Sequence, residues 1–133
     1  MEAFMGVWRF NSSTISGDAD PMLNAVILPG VTPEDLQQGG EIEMTAEGKT
    51  LTIITRPPGR VEIVDVLVLG EKDVRDGPGG VKVETVGNWE TDRFVSTSHI
   101  GDVTVRTVRY LRNGDMINET SSGGKTVTAR LIR

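Results

Sequence analysis

Two arginines near the carboxyl-terminal end of this 133-residue sequence are the side chains best suited to act on a ligand. Alternation puts Val103, Val105, Thr107, Arg109 and Leu111 on one face of a strand, and Thr126, Thr128, Arg130 and Ile132 on one face of another. If both faces turn inward, two guanidiniums enter the same enclosed space. Arginine keeps its proton in practice, and an unpaired buried charge is strongly destabilising. Two inward arginines therefore call for internal carboxylates, ordered water or a bound anion. The competing arrangement exposes Arg130 on the end strand and pairs Arg109 with a nearby Glu. Both stand open at this level.

Other reactive groups are sparse. There is no cysteine and one histidine, His99, so thiolate and multi-histidine metal sites are excluded and a Ser-His-Asp arrangement would rest on His99 alone. His99 lies at a strand end before Ile100-Gly101-Asp102, where a solvated turn explains it. Glu119 alternates with Asn118 and Thr120 and should face solvent, and Asp65 sits within an apolar segment. Nothing resembles an activated nucleophile or a paired-carboxylate site, so no enzyme, cofactor or metal is expected. The net charge of −5 disfavours nucleic acid as a partner. No run of 18 apolar residues occurs, and Met1-Glu2-Ala3-Phe4 lacks the basic and apolar regions of a signal peptide. The expectation is one domain over 1–133, cytoplasmic and monomeric.

The elements that must position the arginines are short strands. Phe4, Gly6, Trp8 and Phe10 alternate within Phe4–Ser12, with Trp8 read as core. Glu41–Ala46, Thr50–Arg56, Arg60–Leu69, Val81–Val86, Asp92–His99, Val103–Leu111, Met116–Ser121 and Thr126–Ile132 follow. Turn signals such as Pro57-Pro58-Gly59, Asn113-Gly114-Asp115 and Ser122-Gly123-Gly124 separate them, and Gly70–Gly80 reads as loop. Arg60–Leu69 is apolar on both parities, which predicts burial on both sides or a bulge near Asp65. The one helical region is Asp18–Gln38. Asp18 or Asp20 caps a first helix, Pro21 opens it, and Met22, Leu23, Val26 and Ile27 recur at helical spacing. Pro29-Gly30 ends it, and Thr32-Pro33-Glu34-Asp35 opens a second that Gly39-Gly40 stops. Neither is long enough to be stable alone, so both must pack on the strands. About ten short strands at this spacing predict an all-β barrel or sandwich.

A first strand, two helices and then a long meander of strands resembles the intracellular lipid-binding proteins, the fatty-acid-binding protein family. Phe4-Met5-Gly6-Val7-Trp8-Arg9-Phe10 is similar to that family's opening strand, and Val66-Leu67-Val68-Leu69-Gly70-Glu71 to its mid-chain strand ending in Leu-Gly-Glu. Val108-Arg109-Tyr110-Leu111 with Asn113-Gly114-Asp115, and Thr128-Ala129-Arg130, resemble its closing segments. The resemblance implies a ten-stranded antiparallel up-and-down β-barrel of the lipocalin-like, or calycin, kind. A two-helix lid would be inserted between strands 1 and 2, over an internal ligand cavity. It puts Arg109 and Arg130 where many members hold a ligand carboxylate. Members often carry a Tyr two residues after the second arginine, and here that position is Ile132. Thr107, Asn118, Thr120 and Thr128 are the candidate inward polar partners, and Met22 and Val26 would face the cavity from the lid. The implied function is non-covalent binding and transport of a fatty acid or similar amphipathic anion, with membrane contact transient at most. The alternatives are an interaction module that kept the barrel and lost the ligand, and a barrel enzyme.

Overall fold

Nearly every alternating segment becomes a strand, and each turn returns the chain antiparallel to the strand before it. The computed structural model describes residues 2–10, 16–17, 39–56, 59, 62–76 and 78–133. The expected helix pair, with Met22 and Val26, lies outside the described residues. The strands are β1 (Gly6–Phe10), β2 (Ser16–Gly17), β3 (Glu41–Glu47), β4 (Thr50–Arg56), β5 (Ile63–Val68), β6 (Asp73–Asp76), β7 (Lys82–Glu90), β8 (Arg93–Ile100), β9 (Val103–Arg112), β10 (Asp115–Ser122) and β11 (Lys125–Ile132). Ten of them form one path, β5-β4-β3-β1-β11-β10-β9-β8-β7-β6, and β2 adds to β11 beside it. β1 pairs Leu131 and Ile132 of β11, while β2 pairs Val127 and Thr128, so the two follow one another along the same partner. Asn113 (φ 52°) and Gly114 (φ 84°) both take the left-handed conformation that a tight hairpin between β9 and β10 needs.

Two segments differ from the alternation pattern. Gly70–Gly80, read as loop, contains β6, paired with β7 from Asp73–Thr85 to Asp76–Lys82. Its sequence, Asp-Val-Arg-Asp, has one apolar residue and gives no hydrophobic period; charge pairs hold it instead. β5 is apolar on both parities but is neither bulged nor buried on both sides. Its ladder with β4 runs unbroken from Thr50–Val68 to Thr55–Ile63. Ile63, Asp65 and Leu67 share the parity turned inward, and Val64, Val66 and Val68 are exposed.

The barrel has two weak junctions, and an arginine spans each. β5 and β6 end the strand path and do not pair with one another. Gly70 donates its backbone N–H to the Gly87 carbonyl of β7 at 2.9 Å, closing one end of this seam. Along the seam itself Arg75 of β6 donates to Asp65 of β5. Among the described residues the β1–β11 ladder has two residue pairs. There Arg133 donates to the carbonyls of Met5 (3.0 Å) and Ala3 (2.5 Å) and lies 4.1 Å above the Trp8 ring.

Apolar side chains fill one end of the interior. Phe4, Trp8, Ile42, Met44, Leu51, Phe94, Met116 and Leu131 are buried together there, and Trp8 donates its indole N–H to the Phe4 carbonyl at 2.8 Å. Trp8 is thus a core residue, as its place in the alternation predicts. A smaller cluster of Val105 and Val127, with Val103 against it, lies toward the other ends of β9 and β11. Polar residues occupy the inner wall between the two clusters.

Candidate functional site

Pairing register arranges the inner wall in rows that run across the strands. Thr107 of β9 faces Thr120 of β10, their hydroxyls 3.2 Å apart and both buried. Thr85 and Ser98 of β7 and β8 pair likewise at 2.8 Å. These hydroxyls satisfy one another. The next row toward the apolar end contains Trp89, Phe94, Arg109, Asn118 and Ala129, on β7 to β11 in turn. All three buried side-chain polar atoms that lack a hydrogen-bond partner among the described residues belong to it: Trp89 Nε1, Arg109 Nε and Asn118 Oδ1. Leaving such an atom unpaired costs about 1–3 kcal/mol. Three of them in one row mark a place where the wall is incomplete for folding alone.

Arg109 is 9 % exposed and Asn118 8 %. Burial lowers the Arg109 guanidinium to about 10, and Asp65 on the opposite side of the interior pulls it back up. It stays charged at neutral pH. Asp65 also accepts from Arg75, whose Nη2 and Nε donate to Asp73 at 2.7 and 2.9 Å. Burial opposes the charge on Arg75, but its hydrogen bonds to Asp73 and Asp65 outweigh it and hold the group above its ordinary value. Among the described residues the charges turned inward are therefore two arginines and two aspartates. Gly87 makes room for the row: a Cβ there would stand 2.7 Å from the Phe94 ring, which is wholly buried and tilted against Trp89 at 5.2 Å.

The structure brings Arg109, Thr107, Asn118 and Thr120 onto one wall. It turns Arg130, Thr128 and Ile132 the other way. Val127, Ala129 and Leu131 of β11 are buried, because their β10 partners Thr120, Asn118 and Met116 face inward. Arg130 stands opposite Ile117 on the outer face, its side chain 45 % exposed and its Nε 3.3 Å from Asp115. Thr128 stands opposite Glu119 on the same parity, and Ile132 follows it. Arg109 and Arg130 thus do not meet as a clamp on the inner wall. The signal was in the sequence: Val127, Ala129 and Leu131 form the wholly apolar parity of that strand, the criterion that placed Arg109 correctly. Asp73, Arg75 and Trp89 were missed as interior residues. Asp65 shares its parity with Ile63 and Leu67, while Asp73 and Arg75 gain meaning only when β6 is recognised.

The candidates for catalysis are accounted for. His99 is exposed and its Nδ1 lies 3.1 Å from the Thr104 hydroxyl. Glu119 is on the outer face and accepts from the Tyr110 hydroxyl at 2.7 Å. Asp65 belongs to the Arg75 pair. Among the described residues no cluster of His, Cys, Asp or Glu could hold a metal ion, and no helix is long and apolar enough to cross a membrane.

The path of strands, the unpaired β5–β6 seam and the apolar floor define the class of the fold. This is the near-closed ten-stranded barrel of the intracellular lipid-binding proteins. Fatty-acid-binding protein 1 of Echinococcus granulosus is 13 % identical, with a TM-score of 0.75 over 100 % of this chain and 98 % of that one. A Schistosoma mansoni fatty-acid-binding protein solved with arachidonic acid is 17 % identical, with a TM-score of 0.74 over 100 % and 97 %. Lipid binding protein 8 of Caenorhabditis elegans is 16 % identical, with a TM-score of 0.74 over 100 % and 96 %. No family model and no curated protein matches the sequence.

Proposed function

We propose that this protein binds a hydrophobic or amphipathic small molecule non-covalently inside the barrel and carries it in the cytoplasm. The apolar part of the ligand lies against the floor built around Trp8, Met44 and Phe94, and its polar end lies at Arg109. The observation that supports this reading most is Arg109 itself. A buried guanidinium with an unpartnered N–H, beside an unpartnered Asn118 carbonyl, is a cost to folding that a ligand would offset. Thr107 and Thr120 lie one row away and remain candidates for secondary contacts.

A single-chain lipid supplies the needed driving force. Each buried methylene contributes about 0.8 kcal/mol, so a tail of ordinary length exceeds the cost of association. One charge-assisted hydrogen bond adds roughly 1.5–3 kcal/mol and fixes orientation. Fatty acids are therefore within the class, though Arg109 without Arg130 would meet them. No reaction is assigned.

The test is native mass spectrometry of the protein purified gently from its own source, paired with emission spectra of Trp89 in a Trp8→Phe background. A reproducible small-molecule adduct whose removal shifts Trp89 emission is expected. A clean ligand-free mass, with emission indifferent to added lipids, overturns carriage in favour of an interaction module on the same barrel.

A further inference from the structure

The row that leaves Arg109 and Asn118 incomplete also restricts the chemistry of what completes it. Arg109 offers an N–H and lacks an acceptor; Asn118, its direct partner on the next strand, offers a carbonyl oxygen and lacks a donor. Side chains of directly paired residues start about 5 Å apart, so one small polar group can touch both. Trp89 adds a further N–H two strands along the same row, about 10 Å away. Each of Arg109 and Asn118 is more than nine-tenths buried.

A carboxylate accepts hydrogen bonds and donates none. Placed here it would satisfy Arg109 and set a negative oxygen against the Asn118 carbonyl. It would also enter a space that already holds Asp65, which acts on Arg109 directly, and Asp73 beyond it. Among the described residues two arginines and two aspartates face this space, and together they add no net positive charge to attract an anion. An ester fails differently, because it can accept from Arg109 but has nothing to give Asn118. An alcohol oxygen can accept from Arg109 while its hydrogen goes to Asn118. A primary amide does the same with its carbonyl and its N–H.

We propose that the polar end of the ligand is an uncharged group that both accepts and donates, an alcohol or a carboxamide, read by Arg109 and Asn118 together. This rests on the carrier reading above and narrows it to a ligand class. Arg109 is charged at neutral pH and faces Asp65 across the interior, so it works as a strong donor and not as an anion trap.

The experiment compares four ligands with one tail: dodecan-1-ol, dodecanamide, dodecanoate and methyl dodecanoate. Calorimetric titration at neutral pH gives their affinities for the full chain and for Asn118→Leu. The alcohol and the amide should bind at least as tightly as dodecanoate and roughly tenfold tighter than the ester, the equivalent of one buried hydrogen bond. Asn118→Leu should remove that advantage over the ester and leave ester binding unchanged. Tighter binding of dodecanoate than of both neutral ligands overturns the proposal. An amide-to-ester ratio untouched by Asn118→Leu also overturns it, and so does selective loss of dodecanoate in that variant, which would mean the Asn118 amide turns its N–H inward. The ranking on the unaltered chain decides the matter if Asn118→Leu does not fold. Failure of all four ligands to bind removes the carrier reading itself, an outcome distinct from a carboxylate preference.

Discussion

Burial acts on Arg109 in a direction that stability measurements can detect. The folded state lowers this guanidinium to about 10, well below its ordinary value, so keeping it charged inside the barrel opposes folding. Below pH 10 the folded and unfolded chains both hold the proton, and the folded state bears the full cost. Above that, the folded chain releases the proton first, and the cost shrinks as pH rises. Arg109→Leu should therefore stabilise the ligand-free protein at pH 7, by about 1–3 kcal/mol. The gap should narrow when urea unfolding is repeated near pH 10.5. The same variant should bind ligand more weakly, so stability and binding move in opposite directions. A less stable Arg109→Leu protein at pH 7 would show that the guanidinium is satisfied by the chain itself.

Among the elements, β5 and β6 carry the most instructive design. β5 is the end of the strand path, with Val64 and Val66 exposed on its outer face and Asp65 turned inward. An unpaired apolar edge invites pairing with other chains, and an inward charge on such a strand discourages it. Asp65 also accepts the hydrogen bond from Arg75 that spans the seam. Both partners keep contact with water, so the link contributes little to global stability, about 1 kcal/mol or less. Arg75→Ala should leave the unfolding midpoint nearly unchanged. Hydrogen exchange should quicken in β5 and β6 by several-fold and stay constant in β9 and β10, where both neighbours are paired. Uniform acceleration over all strands would mean the pair supports the barrel as a whole.

At the scale of the molecule, closure depends on residues far apart in the sequence. Arg133 lies 130 residues from Ala3 and 128 from Met5, yet it bonds both carbonyls and covers Trp8. With two residue pairs between β1 and β11 among the described residues, this side chain reinforces the shortest described ladder on the path. Arg133→Ala should cost about 1 kcal/mol, from an exposed cation–π contact and its hydrogen bonds. Arg133→Lys should recover only part of it, because an ammonium lacks the planar fork that reaches two carbonyls. Thermal unfolding of the three proteins side by side measures this; equal midpoints would remove the reinforcing role.

Local pattern was enough for much of this. Period-2 alternation and glycine turns located most of the strands, and the parity of Val105, Thr107 and Leu111 put Arg109 inside, since a strand fixes which side chains share a face. Alternation does not say which face is inner when the two are of similar polarity or when an expected site is laid over them. For β11 that decision came from register with β10: Asn118 facing Ala129 sends Arg130 out. β6 was illegible because charge pairs, within it and with β5, replace the apolar face that a sequence pattern can show. The row of Trp89, Arg109 and Asn118 was beyond reach for the same reason. It joins residues from three strands, and which polar atoms in it lack partners depends on neighbours that only the closed barrel supplies.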